Sequence, residues 1–129
     1  MFVIDAIDPK AETEGLWFEF SGSKFKIAST SSVAYQKRLS KLYAPHRRKI
    51  EQGKLDPETG SDLVATALAG QVLTDWKDVQ TVDGKTVKFS VEVAKEALVA
   101  NQDLRDWILE CANDISNFRS ELKEAIVKT

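Results

Sequence analysis

Hydrophobic and polar positions along the chain fall into two regimes. In "GLWFEFSGSKFKIAS", Leu16, Phe18 and Phe20 alternate with Trp17 and Glu19. Beyond "SGS", Phe25 and Ile27 alternate with Lys24 and Lys26. Alternation of period two on both sides of a glycine-containing turn predicts a β-hairpin with one buried face. "FVIDAI" ahead of it adds a candidate short strand. After the hairpin the period becomes helical. "SSVAYQKRLSKLYA" places Tyr35, Leu39 and Leu42 on one face, with Ser31 or Ser32 as N-cap. Pro45 should end or kink that helix near Ala44. "QGKLDPETGS" is rich in turn formers. A second helix is expected from Ser61, with Val64, Leu68, Val72 and Trp76 in steps of four. Its small residues Ala65, Ala67, Ala69 and Gly70 would let another element approach closely.

Asp83-Gly84, flanked by Val82 and Val87, is a strong turn signal, with room for a small hairpin. Ser90 suits the N-cap of a helix over "VEVAKEALVA". Trp76 and Phe89 would staple the two ends of this joint. Asn101 or Asp103 then opens a last helix expected to run almost to the C-terminus. Leu104, Ile108, Cys111, Ile115, Phe118, Leu122 and Ala125 recur along it in steps of four and three, and Trp107 and Ile126 widen the stripe. A narrow stripe would be a coiled-coil seam. The widening, and the lack of a second matching helix, favour packing on its own domain. The pattern predicts an α+β fold, mostly α, with an N-terminal β-hairpin followed by about four helices. One domain is expected over residues 1–129, with a hairpin region at 1–30 and a helical region at 31–129.

Composition adds few constraints. The chain is 43% hydrophobic and 29% charged, with a net charge of −2. That is an ordinary globular balance, and the total favours neither nucleic acid nor membrane. No apolar run approaches the ~18 residues that span a bilayer. The start "MFVIDAIDPK" has two aspartates and no basic stretch, so no secretory leader is expected. The single cysteine, Cys111, has no intrachain disulfide partner, which suits a reducing cytoplasm.

Candidate chemistry is sparse. His46 and Cys111 are single copies, one in a basic loop and one on an apolar stripe. Neither has the neighbours of a nucleophile or base, and no catalytic residue is assigned. No His or Cys pair has zinc-ligand spacing, and "DPETGSD" and "DWKDVQTVDG" do not follow the calcium-loop pattern, so no metal site is assigned. "SGSKFK" lacks the spacing of a phosphate-binding loop. No cofactor is implied.

Charge distribution says more than its sum. Between Glu19 and Glu51 there is no acid, while Lys24, Lys26, Lys37, Arg38, Lys41, Arg47, Arg48 and Lys49 fall there. From Glu92 onward the chain is acid-rich, with Glu96, Asp103, Asp106, Glu110, Asp114, Glu121 and Glu124. Two solvated faces would give this pattern. So would a small nucleic-acid-binding regulator using the basic 24–49 span, though the acidic remainder and the lack of a known binding module oppose it. A third reading is complementarity to a protein, including another copy met head to tail. Trp17 falls on the polar face of the hairpin. It is either an exposed interface anchor or covered by a second layer. Tyr35 and Tyr43 are expected in the core.

"LTDWKDVQTVDGKTVKFSVEVAKEAL" followed by "LRDWILECANDISNF" resembles the tail assembly chaperones of long, non-contractile-tailed bacteriophages. The matching features are a helix ending in Leu73-x-x-Trp76, an Asp-Gly turn, a Phe-Ser pair opening a helix, and a final helix with Trp107, Ile108 and Phe118. The resemblance covers roughly residues 60–120 and, more loosely, the basic helix before them; it leaves the hairpin out. It implies a non-enzymatic role in the host cytoplasm. The chaperone binds the tape measure protein and keeps that long helical chain soluble. A longer form, made by ribosomal frameshifting, recruits the tail tube protein, and the chaperone is absent from the mature virion. No catalytic residue comes with the family. A groove around Ala65, Ala69 and Trp76 would take the partner, and charge reversal at Arg47 and Arg48 would weaken a weak homo-oligomer.

Overall fold

The computed structural model describes residues 8–118. Its first element is a short helix, α1 (Pro9–Glu14), which the hydrophobic pattern did not announce. Asp8 is its N-cap, accepting from the backbone N–H of Lys10 at 3.0 Å, and Pro9 occupies the first turn, where a missing N–H costs nothing. The candidate strand at "FVIDAI" lies outside the described residues.

The hairpin forms as the alternation requires. Strands β1 (Leu16–Phe20) and β2 (Ser23–Ile27) pair antiparallel with Phe18 opposite Phe25. Ser21 and Gly22 make the turn at φ 52° and 83°. Two positive φ values are those of a type I′ turn, whose twist suits a two-residue hairpin loop. Gly15, between α1 and β1, has φ +93°, and a Cβ there would lie 2.8 Å from the backbone carbon of Ile27.

Helix α2 (Val33–Tyr43) is capped by the Ser32 hydroxyl and stops ahead of Pro45, as its proline predicts. Tyr35 is buried as expected, whereas Tyr43 is half-buried. A 3₁₀ turn (Ala44–His46) leads into the single-turn helix α3 (Arg47–Glu51). Helix α4 (Pro57–Leu68) starts earlier than Ser61, because Asp56 caps it and Pro57 fits its first position.

The expectation of a helix running through Trp76 is overturned. Helix α4 ends at Leu68, Gly70 takes φ +88°, and Leu73–Lys77 is a strand, β3. β3 pairs antiparallel with β2, giving a three-stranded sheet in the order β1-β2-β3. Phe25 faces Trp76 and Ile27 faces Leu73, with a register shift between Lys26 and Ile27. The shift puts an extra residue, Thr74, into β3. Leu73 and Trp76 therefore both face the core although three apart, which imitates the spacing of a helix.

The Asp83-Gly84 turn closes a small irregular hairpin. Gln80 bridges Thr86, and the Val87 N–H donates to Val79 O at 2.8 Å. Ser90 caps α5 (Val91–Ala100) through the Val93 N–H. Helix α6 (Gln102–Asn113) is shorter than its stripe suggested. Asp114 is extended, and a 3₁₀ turn (Ile115–Phe118) follows. The carbonyl of Ala112 near the helix end accepts the Thr30 N–H at 3.1 Å, and that of Cys111 accepts the Asn117 side-chain N–H at 3.0 Å. Two of the orphan acceptors of the last turn are thus satisfied, and the helix can end there. Leu122, Ala125 and Ile126 lie outside the described residues. The fold is α+β, with five α-helices after the hairpin where about four were expected, and a third strand.

One core cluster draws on both regions. Phe25 and Ile27 from β2, Tyr35 from α2, Ala65 and Leu68 from α4, Trp76 from β3, Leu98 from α5 and Ile108 from α6 belong to it. The stripe of α6 accordingly packs on its own chain, with Ile108 and Ala112 buried.

Candidate partner-binding groove

Aromatic rings on the buried face of the sheet meet Trp107 of α6. Phe20 stacks on Trp107 with centroids 4.7 Å apart, and Phe25 meets Trp107 edge-on at 5.7 Å. Phe25 and Trp76 form a further T-shaped pair at 6.3 Å, and Trp76 and Phe89 another at 5.3 Å. The second of these is the staple anticipated across the joint. The Trp76 indole N–H donates to Val87 O at 2.8 Å, so the ring is fixed by a hydrogen bond as well as by packing.

Of these rings, Phe20, Phe25 and Trp76 floor an open groove of about 540 Å³ between the hairpin tip, the 79–87 loop and helices α5 and α6. Phe20, Phe25, Trp76, Val87, Val93 and Leu104 give it apolar walls, and Ala97 keeps its α5 side shallow. Glu96 and Asp103 stand on the rim, with Gln80 and Thr81 opposite. An apolar floor with a polar rim, which Ser21, Ser23 and Asn101 extend, fits the anatomy of a protein-binding site.

The six residues proposed from sequence scatter. Trp76 lines the groove. Ala65 and Ala69 are 0% and 3% exposed and pack inside the core, where they let the chain's own elements close up. Trp17 is 40% exposed on the outer face of the sheet, with Lys77 Nζ 4.5 Å from its ring centroid. Arg47 and Arg48 are exposed on α3 and do not line the groove. Phe20, Phe25, Val93 and Leu104 were missed as groove residues. Phe20 and Phe25 were legible as inward-facing, but only the tertiary fold brings them to α5 and α6.

Neither His46 nor Cys111 lines the groove. His46 is half-buried in the 3₁₀ turn before α3, and Cys111 lies on α6. Partial burial, then Glu110 and Asp114, push the Cys111 thiol up, away from the reactive thiolate. Among the described residues no group of three or more His, Cys, Asp or Glu side chains is placed to hold a metal, and no helix is long and apolar enough to cross a membrane.

The model of the YdaY prophage protein family matches residues 29–129. The chain belongs to the YdaY prophage protein family. The match begins just after β2, so it spans α2 to α6 and β3 and leaves out α1 and the hairpin. No curated protein and no solved structure matches the chain. In this family member the groove is therefore composite. Its α5–α6 wall and Trp76 lie inside the matched span, while Phe20 and Phe25 come from outside it.

Proposed function

We propose that the chain is a non-enzymatic phage tail assembly chaperone that binds the tape measure protein and keeps it soluble in the host cytoplasm. A longer form would help recruit the tail tube protein, and the chaperone would be absent from the mature virion. The observation that carries this reading is the open aromatic groove with Glu96 and Asp103 on its rim. A tape measure is a very long helix with apolar stripes exposed before the tube covers it. One apolar helix face laid in a groove, read through side chains three and four apart, is a recurring mode of peptide recognition. Membership of a prophage family supports the phage setting. Modest affinity at each copy suffices where many copies line one client.

Co-expression of the tagged chain with the longest helical protein encoded beside it tests this. The long protein should become soluble and co-purify with several copies of the chain. A long protein that stays insoluble while the chain itself is folded would overturn the reading.

A second reading, single-stranded nucleic acid binding, draws on the outer face of the sheet. Exposed Trp17 lies beside Lys26 and Lys77 there, an aromatic platform among cations. Glu19 and Asp75 on the same face oppose it. Binding to a mixed nucleic-acid pool with a steep salt dependence would favour this reading over the first.

A further inference from the structure

Helix α3 has no buried residue. A short helix owes most of its stability to an apolar face packed on something else. The large apolar side chain of α3, Ile50, is 41% exposed. Arg47, one turn before it, shares its face, and Arg48 is exposed beside it. Among the described residues no carboxylate forms an ion pair with either arginine; the pair present is Lys95–Asp62, at 3.7 Å.

Helix α5 carries the complement on a face that meets the aromatic groove at Glu96 and turns outward from there. Val91 and Val99, two turns apart, are 49% and 44% exposed. Lys95 between them is drawn toward Asp62, and Glu92 and Glu96 run alongside, both exposed. A shallow depression beside Val99 is bordered by both glutamates.

We propose that α3 of one copy docks on this outer face of α5 in a second copy. Ile50 lies against the exposed valines, and Arg47 and Arg48 meet Glu92 and Glu96. Opposite charge selects a second copy as the occupant, since one chain carries both halves. The two surfaces differ, so the contact is heterologous and continues head to tail, as a ring or along a row. Two short helix faces bury less than the ~1,200 Å² of a standard stable complex, so the association is weak and falls with added salt. A row of this kind would bring successive grooves along one long client.

Sedimentation velocity of the full chain tests the contact without any client, so this inference and the chaperone reading fail separately. The parent should sediment faster as concentration rises. Arg47→Glu/Arg48→Glu and Glu92→Lys/Glu96→Lys should each associate at least about tenfold more weakly. An equimolar mixture of the two variants should regain the association, because each then offers the charge that the other lacks. Ile50→Ser, which keeps every charge, should also weaken it. A parent that stays monomeric at all concentrations, reversals without effect, or a mixture of folded variants that fails to recover would each overturn the proposal.

Discussion

The indole N–H of Trp76 donates to the backbone carbonyl of Val87 at 2.8 Å, tying β3 to the far side of the 79–87 loop. Eleven residues apart in sequence, the two close the loop that forms one wall of the groove. Trp76→Phe keeps most of the ring packing but removes the donor. It should cost about 1–3 kcal/mol, the penalty for an orphaned acceptor. Urea unfolding should show a lower midpoint with an unchanged slope. Trp76→Ala adds a cavity among Phe25 and Phe89 and should cost about 3–5 kcal/mol.

Gly15 and Gly84 separate two kinds of glycine requirement. Both have positive φ, +93° and +83°. At Gly15 a Cβ would sit 2.8 Å from the Ile27 backbone carbon, which cannot rotate away, whereas at Gly84 nothing lies within 4 Å. Gly15→Ala should therefore cost about 3 kcal/mol or more, strain and clash together. Gly84→Ala should cost about 1 kcal/mol, for conformation alone. Thermal melts of the two variants check the order. Equal losses would mean that the α1–β1 junction is looser than its geometry.

Asp56 gives the fold a pH dependence of known sign. Its carboxylate accepts from the Thr59 N–H at 3.0 Å and from the Thr59 hydroxyl. The backbone hydrogen bond first, then the hydroxyl, hold its pKa below the ordinary 3.8. A depressed folded pKa means that the unfolded chain binds the extra proton between the two values. The contribution of the cap is present above 3.8 and is lost as pH falls through the folded pKa. Asp56→Asn keeps a capping oxygen without the titration. The stability gap between parent and variant should be flat above that range and shrink below it in acid unfolding curves. A gap that widens on acidification would contradict the sign.

Legibility from sequence followed the local signals. The hairpin was readable because Leu16 to Ile27 alternates around Ser21-Gly22, and the cap at Ser90 and, as one of two candidate serines, that at Ser32 were readable from hydroxyls preceding apolar periods. β3 was not, because the extra Thr74 leaves Leu73 and Trp76 three apart on one face, and Val72 and Leu68 extend the same imitation. α1 carried its cap and proline in plain view at Asp8 and Pro9, but it buries just Ala11 among its six residues and shows no period. Ala65 and Ala69 read correctly as small residues allowing close approach. What approaches them is the chain's own core, which no local pattern states. Of the groove, Trp76 was legible as a hydrophobic pin, while its neighbours Val93 and Leu104 join it only once α5 and α6 are in place.

The measurement that bears most directly on the chaperone reading blocks the groove without emptying the core. Ala97 lines the α5 side and is half-buried. Ala97→Arg sets a long charged side chain across the floor at little packing cost. The soluble fraction of the co-expressed tape measure protein would be measured with parent and variant, each checked for folding by circular dichroism. The account predicts that the parent keeps the client soluble and bound, and that the folded variant loses both. A client held equally well by Ala97→Arg would contradict the groove as its binding site.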